Sequence, residues 1–321
     1  MDTIRWGIIG CGNVTEIKSG PAFRLAANSD VVAVMRRNGA LAADYAARHQ
    51  VSRYYDNAEA LLDDPAVNAI YIATPPDSHE AYALAAIERG YPVYIEKPVG
   101  LNAAAAHRIA DAVTAAGAVA SVAHYRRRLP AFTCVQQLLR EKRIGQVTGI
   151  DLRLWHTPLA GDGGWRMDGP ISAGGAGGHF HDLAPHQIDI LLYYFGQPVH
   201  CTGISSGGGK QIPHTISGQI LFENDILFNG SWNFRVAETE TKDECIINGT
   251  KGSIRFHFFQ HFDRVTLHTG HHTQEFRFET PAHIQQYLIA DVVKYFRGEQ
   301  PNPSSVTEAA LGMDILEKLL G

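Results

Sequence analysis

Short apolar runs alternate with longer segments of helical periodicity along the first third of the chain. Gly, Pro or polar residues end each run, as expected for buried strands. The runs occupy residues 4–9, 31–35, 68–73, 93–95 and 118–123. Helices are predicted between them, at residues 40–49, 58–62, 77–89 and 102–116. Because parallel strands require crossover connections, the alternation predicts an α/β fold with a doubly wound parallel sheet.

The pattern changes in the remaining two thirds. From residue 202 to residue 278, strand-like sequence follows strand-like sequence with turn residues between, after an earlier predicted strand at 145–155. This predicts an α+β region with a large, mostly antiparallel open sheet. Further helices are predicted at residues 132–141, from about 181, at 282–296 and at 306–320. We therefore divide the chain into two domains, residues 1–123 and residues 124–321.

A large open sheet has two faces that must be covered or tolerated in water. The helix that begins near Asp182 is expected to cover one face. The other face is expected to carry four aromatic side chains and to pair with a second subunit. These aromatic residues are Phe222, Phe228, Trp232 and Phe234. A homodimer or homotetramer formed through the C-terminal sheet is therefore predicted.

Bulk composition excludes several classes of function. The 321 residues carry a net charge of −5, which leaves no electrostatic footprint for nucleic acid or an anionic membrane. The four cysteines are scattered, so neither a disulfide framework nor a zinc site is indicated. The sequence lacks a signal-peptide pattern and an apolar run of membrane length. A cytoplasmic protein is expected.

The first predicted strand ends in a glycine-rich turn, Gly10-Cys11-Gly12-Asn13-Val14-Thr15. Glycine at the first position permits a tight turn, and glycine at the second lets the backbone approach a pyrophosphate. The third glycine of the dinucleotide-binding fingerprint is Thr15 here. Gly10, Gly12, Asn13 and Val14 are therefore candidate cofactor-binding residues of a Rossmann domain.

Two arginines, Arg36 and Arg37, follow the second strand where NAD-binding proteins place a carboxylate for the adenosine ribose. A guanidinium suits a 2′-phosphate, so NADP(H) is favoured as the cofactor, with NAD(H) possible. The alternative is that both arginines are solvated at the strand end.

Two more strands end in turns that carry polar residues. Thr74-Pro75-Pro76-Asp77-Ser78-His79 follows the strand at 68–73, and Glu96-Lys97-Pro98 follows the strand at 93–95. Because ligands of open α/β sheets bind outside the carboxyl ends of strands, Thr74, Pro75, His79, Glu96 and Lys97 are candidate cofactor-binding residues. The alternative for Glu96 and Lys97 is a solvated surface pair.

A histidine-rich segment opens the helix predicted near residue 181. There Asp182 and His186 are four residues apart and share one helix face, which Asp189 continues. A metal site competes as an interpretation, since His179 and His181 are also possible ligands. Hydride transfer to a nicotinamide needs no metal, and none is predicted.

Taken in order, four motifs resemble the Gfo/Idh/MocA family, which includes glucose–fructose oxidoreductase and inositol dehydrogenase. They are Gly10-Cys11-Gly12-Asn13, Ala73-Thr74-Pro75-Pro76 with His79, Glu96-Lys97-Pro98, and Arg126-Arg127…Pro130. The resemblance spans nearly the whole chain and also covers Asp182, His186 and Asp189, with Ala184 where the family has glycine. It implies an NAD(P)-dependent dehydrogenase or reductase whose catalytic set is Lys97, Asp182 and His186.

The substrate pocket is expected to involve a loop with eight glycines between Gly161 and Gly178. An aromatic ring and an arginine in such a loop suit a polyhydroxylated ring, although a plain surface loop is the alternative. The candidate substrate residues are Tyr125, His156, Trp165, Arg166, Asp168, Asp182 and His186.

The predicted chemistry is reversible oxidation of a sugar, cyclitol or related polyol. His186 takes the hydroxyl proton as general base, Lys97 stabilises the developing negative charge, and Asp182 orients substrate or His186. Three alternatives remain open: reduction of a non-sugar carbonyl or conjugated substrate, a retaining NAD-dependent sugar–sugar oxidoreductase, and a non-catalytic NADP(H)-binding sensor.

Overall fold

The computed structural model describes residues 1–158, 178–206 and 212–321. Within these ranges the chain forms two compact units. The first contains residues 1–125 and 281–311, and the second contains residues 126–280 and 312–321.

The first unit is built on a six-stranded parallel sheet. Its strand order is β3-β2-β1-β4-β5-β6, so the direction in which successive strands are added to the sheet reverses between β1 and β4. This reversal is the switch point at which open α/β sheets bind ligands. The strands are β1 (Ile4–Ile9), β2 (Ser29–Met35), β3 (Arg53–Tyr55), β4 (Ala69–Ile72), β5 (Val93–Ile95) and β6 (Ala120–Val122). The short edge strand β3 was not predicted, because its residues are exposed or half-buried and lack the apolar run that marks the other strands.

Six helices connect these strands. They are α1 (Asn13–Ile17), α2 (Gly20–Leu25), α3 (Gly39–Arg48), α4 (Ala58–Leu62), α5 (His79–Glu88) and α6 (Ala103–Ala116). Asn38, Asn57 and Asn102 cap α3, α4 and α6 by accepting hydrogen bonds from backbone N–H groups. The doubly wound parallel sheet is thereby confirmed.

The division into units differs from the sequence-based division at residue 123. Residues 281–311 pack with the first unit, although they follow the second unit in the chain. The ring of Phe296 lies 5.4 Å from that of Trp6, and Gln285 donates a hydrogen bond to Glu96. These contacts join residues far apart in sequence, and local periodicity carries no information about them.

The second unit is built on an eight-stranded sheet with the order β14-β13-β12-β11-β7-β10-β9-β8. All neighbours are antiparallel except β7 and β10, which are parallel. The mostly antiparallel sheet is confirmed. Its strands are β7 (Val147–Trp155), β8 (Pro198–Ser205), β9 (Thr215–Phe222), β10 (Ile226–Asn233), β11 (Lys242–Gly249), β12 (Gly252–Phe256), β13 (Arg264–Thr269) and β14 (His272–Arg277).

Helices cover one face of this sheet. They are α7 (Pro130–Arg140), α8 (His179–Phe195) and the end of α10 (Val306–Leu320); α9 (Gln286–Phe296) belongs to the first unit. Phe132 of α7 packs edge-on against Phe256, and Phe180 of α8 packs edge-on against Trp232. The core of this unit therefore lies between the sheet and these helices.

The prediction that four aromatic side chains lie on the uncovered face of this sheet is wrong. Phe222, Phe228, Trp232 and Phe234 are all buried, and Trp232 donates to Gln187 of α8 at 2.6 Å. Side chains alternate between faces along a strand, so Phe228 and Trp232 share the helix-covered face of β10. The open face carries Leu227, Asn229 and Ser231 of that strand instead.

Helix α8 begins two residues earlier than predicted, which places Pro185 in its second turn. A proline there removes one backbone hydrogen bond. Over the part of the chain that the structure describes, no helix is both long and apolar enough to cross a membrane.

Candidate functional site

The glycine-rich turn sits at the carboxyl end of β1. Gly10 and Cys11 both donate their N–H to the carbonyl of Met35, which ends β2. Gly10 has φ +99°, and a Cβ there would lie 2.7 Å from Thr74 Cγ2 and 2.8 Å from Thr74 N. The turn after β1 therefore packs closely against the turn after β4, and only glycine fits at position 10.

Gly12 is in a different situation. Among the described residues, only the Gly10 carbonyl oxygen lies within 4 Å of where its Cβ would be. The backbone at Gly12 is extended, with φ −123°, and Gly12 stands at the N-terminus of α1. The space beside Gly12 is open, and a side chain at this position would fill it. This open space at a helix N-terminus fits the approach of a dinucleotide pyrophosphate.

Thr15 stands where the fingerprint has its third glycine. Its side chain is buried and donates a hydrogen bond to the Gly12 carbonyl at 2.8 Å. Tyr45 donates its hydroxyl to the Thr15 carbonyl at 2.9 Å, and burial raises the pKa of Tyr45 to about 12. The departure from glycine is thus accommodated by hydrogen bonds that stiffen the turn.

Arg36 follows β2 directly and is half-buried, whereas Arg37 is exposed. The Arg36 guanidinium is close enough to the Cys11 thiol to oppose the effect of burial, which raises the pKa of Cys11 to about 11. Arg36 therefore lies beside the glycine-rich turn, as the sequence predicts, at the edge where an adenosine ribose is bound in this fold.

The turn after β4 is held by its own side chains. Ser78 donates to Thr74 Oγ1 at 2.8 Å, and the buried ring of His79 uses both nitrogens. Its Nε2 lies 2.8 Å from the Thr74 carbonyl oxygen and its Nδ1 lies 2.9 Å from that of Pro98. His79 therefore joins the turn after β4 to the turn after β5. A direct contact of His79, Thr74 or Pro75 with the cofactor stays a prediction.

The Glu96-Lys97-Pro98 turn follows β5, and its Lys97-Pro98 bond is cis. Glu96 is buried, with 6% of its surface exposed. Its Oε1 accepts from the Tyr71 hydroxyl at 2.5 Å and from Gln285 Nε2 at 2.6 Å, and its Oε2 accepts from the Lys97 N–H at 3.2 Å. A solvated surface pair is therefore the wrong interpretation for Glu96.

The second unit carries two of the three predicted catalytic residues. Asp182 and His186 lie in α8 one turn apart, so they share a face as predicted. Asp182 is half-buried and His186 is 3% exposed. The ring of Phe259 lies 5.9 Å from that of His186. A rigid helix thus carries both side chains.

Arg127 orients this helix. Its Nη2 donates to Asp189 Oδ1 at 2.7 Å and its Nε donates to the same oxygen at 3.0 Å. Both side chains are almost wholly buried, and the Arg127 guanidinium also lies over the Tyr193 ring. The sequence places Arg127 in a family motif but does not reveal this partner, which is 62 residues away.

His156 ends its strand region near α8, and its ring lies 4.9 Å from the rings of both His179 and Phe234. His156, His179 and Phe234 therefore form one aromatic cluster of the second unit. Trp165, Arg166 and Asp168 lie outside the described residues. Tyr125 is buried at the end of the first unit. The described residues contain no group of three or more His, Cys, Asp or Glu side chains arranged to hold a metal.

Two family models match the chain. The model of the GFO/IDH/MocA oxidoreductase family, described as an NAD-binding Rossmann fold, matches residues 4–124. The model of the GFO/IDH/MocA C-terminal domain matches residues 132–255. Together they cover the parallel sheet of the first unit and the larger part of the sheet of the second.

Relatives and solved structures match most of the chain or nearly all of it. "Oxidoreductase P35" of Formosa agariphila is 43% identical over 99% of this chain and 98% of its own. A "1,5-anhydro-D-fructose reductase" of Ensifer adhaerens is 28% identical over 78% of this chain and 74% of its own. The structure of a levoglucosan dehydrogenase in complex with NADH and L-sorbose has a TM-score of 0.86 at 21% identity, covering 99% of this chain and 96% of its own.

Proposed function

The chain belongs to the Gfo/Idh/MocA family of oxidoreductases, and on this basis we propose that it transfers a hydride between NADP(H) and a sugar, cyclitol or related polyol. The reacting carbon bears a hydroxyl in one direction and a carbonyl in the other. The names of two relatives, an anhydrofructose reductase and a levoglucosan dehydrogenase, support a sugar-like substrate.

The observation that carries the proposal is the setting of Lys97. It directly follows β5 at the carboxyl edge of a parallel sheet, where ligands of this fold bind. The carboxylate before it is buried and held by three donors, so the backbone at Lys97 is rigidly supported. An ammonium on a rigid support suits stabilisation of negative charge that develops during a reaction.

The bound nicotinamide supplies the hydride acceptor or donor. In the oxidation direction, His186 takes the proton of the substrate hydroxyl, since imidazole is a base near neutral pH. Lys97 donates a hydrogen bond to the same oxygen as charge develops on it. Asp182, one turn before His186 on α8, accepts from another substrate hydroxyl or orients the imidazole.

The preference for NADP(H) rests on Arg36 and Arg37. A half-buried guanidinium beside the glycine-rich turn can pair with a 2′-phosphate, and a second arginine follows it. The related levoglucosan dehydrogenase structure holds NADH, so the fold does not by itself select NADP(H), and the local charge must decide.

The experiment that tests the proposal has two steps. Fluorescence titration with NADPH and NADH measures cofactor affinity. Absorbance at the nicotinamide band then follows turnover on a panel that includes levoglucosan, 1,5-anhydro-D-fructose, inositols and aldoses. Turnover restricted to diketones or imines would contradict the proposed substrate class. Cofactor binding without turnover on any compound would favour a non-catalytic NADP(H)-binding protein.

We also propose that the open face of the eight-stranded sheet pairs with a second copy of the chain. This face carries charges of both signs, including Asp151, Arg153, Lys242 and Glu244, and an exposed Ile204. A groove of about 460 Å³ lies on this face and is lined by the four neighbouring strands β7, β10, β9 and β8. Mixed charges suit a two-fold interface, in which each patch meets its own copy. Light scattering of the wild type and of Ile204→Arg tests this; a monomeric wild type would contradict it.

A further inference from the structure

We propose that Gln285 is a positioning residue for Lys97: it fixes the buried Glu96 carboxylate on which the Lys97 turn rests. The inference rests on the proposed function only in assigning chemistry to Lys97. The contacts that carry it all lie within the first unit.

Burial makes the Glu96 carboxylate depend on its donors. A carboxylate that is 6% exposed is stable only if hydrogen bonds replace its lost hydration. Tyr71 and Gln285 both donate to Oε1, at 2.5 and 2.6 Å, and the Lys97 N–H donates to Oε2. The two side-chain donors therefore hold one oxygen, while the other fixes the backbone of the proposed catalytic lysine.

The charge of Glu96 helps to raise the pKa of the neighbouring Tyr71 phenol. Burial, reinforced by the Glu96 carboxylate, raises the pKa of Tyr71 well above its usual value, so Tyr71 keeps its proton and remains a donor. Ser19 and Tyr71 share a hydrogen bond at 3.0 Å between their hydroxyl oxygens, and Tyr94 donates to Gln285 Oε1 at 3.3 Å. Both ends of the Gln285 amide are thus engaged, which sets its orientation.

The segment around Gln285 also reaches the helix behind the cofactor turn. The Gln285 N–H donates to the Lys18 carbonyl at 3.2 Å, and His283 Nδ1 donates to the Ile17 carbonyl at 2.6 Å. Carbonyls at the end of a helix such as α1 lack intrahelical partners. Residues 283–285 therefore connect the glycine-rich turn region with the Glu96-Lys97 turn.

Nothing in the local sequence indicates this role. Gln285 stands just before α9 and 189 residues after Glu96. It is 1% exposed, and a buried amide whose oxygen and nitrogen are both hydrogen-bonded is a specific contact rather than a filler of space.

The test uses four variants and a matched control. Gln285→Met keeps the side-chain length but removes the donor, and Glu96→Gln removes the charge. The double variant Glu96→Gln/Gln285→Met completes a thermodynamic cycle. A swap, Glu96→Gln with Gln285→Glu, keeps one carboxylate and one amide facing each other. Gln286→Met makes the same chemical change at the next position, whose side chain is only half-buried.

The first readout needs no substrate. Trace acetylation with acetic anhydride, followed by mass spectrometry, compares Lys97 with Lys142 and Lys251, which are exposed residues of the other unit. We expect the relative labelling of Lys97 to change about tenfold in Gln285→Met, the size expected for losing a hydrogen bond to a charged group. The double variant should match Glu96→Gln, the swap should return towards wild type, and Gln286→Met should not differ from it.

The second readout is turnover with NADPH or NADP⁺ and the preferred sugar. Loss of positioning lowers kcat about tenfold while KM changes little, since Gln285 does not touch substrate. Wild-type labelling of Lys97 in Gln285→Met, or additive effects of the two single substitutions, would overturn the inference. If labelling responds as expected while the wild type turns over no sugar, the proposed function fails and the positioning role stands.

Discussion

The guanidinium of Arg127 holds the carboxylate of Asp189 through two nitrogens, at 2.7 and 3.0 Å, where almost no water reaches either group. Asp189 lies one turn after His186 on α8. The ion pair therefore fixes the rotation of the helix that carries His186 and Asp182.

Breaking this pair is expected to destabilise the second unit strongly. Arg127→Met or Asp189→Leu alone leaves an uncompensated buried charge, which costs about 3–5 kcal/mol. The double variant should be more stable than either single one. Urea unfolding followed by tryptophan fluorescence measures this. Arg255→Met, in an exposed pair with Glu244, is the control and should cost less than about 1 kcal/mol. Additive losses in the double variant would contradict the prediction.

The two glycines of the first turn should respond differently to alanine. Gly10→Ala combines a left-handed φ with overlap against Thr74, so it should cost about 1–3 kcal/mol or more. Gly12→Ala meets open space in the protein and should keep the wild-type Tm, but weaken NADPH binding about tenfold or more. Calorimetry and fluorescence titration separate the two effects. If Gly12→Ala bound NADPH with the same affinity as the wild type, this result would contradict cofactor binding at this turn.

The preference for NADPH over NADH should depend on Arg36 and Arg37. Arg36→Ala, and to a smaller extent Arg37→Ala, should lower kcat/KM for NADPH about 10- to 100-fold, because a charge-assisted hydrogen bond is lost. The value for NADH should change little. Arg140→Ala, an exposed arginine of α7, serves as the control. A wild-type enzyme that prefers NADH would show that the arginines do not select the cofactor.

Loss of the proposed general base, His186, should reduce turnover without preventing cofactor binding. His186→Ala should lower kcat about 10²- to 10⁴-fold while the Kd for NADPH stays near wild type. Lys97→Met should also lower kcat, by about 10²- to 10³-fold, since it removes a donor to developing charge. Single-turnover kinetics with a responsive sugar measure both. His268→Ala, in the hairpin strand β13, should retain wild-type turnover; near-normal turnover in His186→Ala would exclude that histidine as the base.

Protonation of His79 should make stability depend on pH. Burial is the largest influence and lowers the pKa of His79 below its usual value of 6.5, although the carbonyls of Thr74 and Pro98 oppose it. The unfolded chain therefore binds this proton more readily than the folded one. The contribution to stability is complete above about pH 6.5 and is lost as pH falls through the lower, folded-state pKa.

Melting temperatures measured from pH 7.5 to pH 5.5 test this linkage. The wild type should lose more stability than His79→Gln over that interval, because the variant has no imidazole to protonate. His272→Gln changes an exposed histidine of β14 and should follow the wild type. Parallel curves for His79→Gln and the wild type would show that His79 does not titrate differently on folding.

Much of this protein is determined by patterns that are local in sequence. Strand–helix alternation and the turn residues after β1, β4 and β5 are properties of short segments, so the parallel sheet and its candidate ligand-binding edge follow from them. The spacing of Asp182 and His186 likewise places them on one helix face, because helical periodicity is fixed by backbone geometry.

Tertiary structure alone decided which distant groups meet. The partners of Glu96 and Asp189 lie up to 189 residues away, and the return of residues 281–311 to the first unit is a long-range packing event. The face taken by Trp232 depends on register in the sheet, where a one-residue shift exchanges the two sides. Such pairings depend on how whole elements pack, and a residue pattern along the chain does not contain that information.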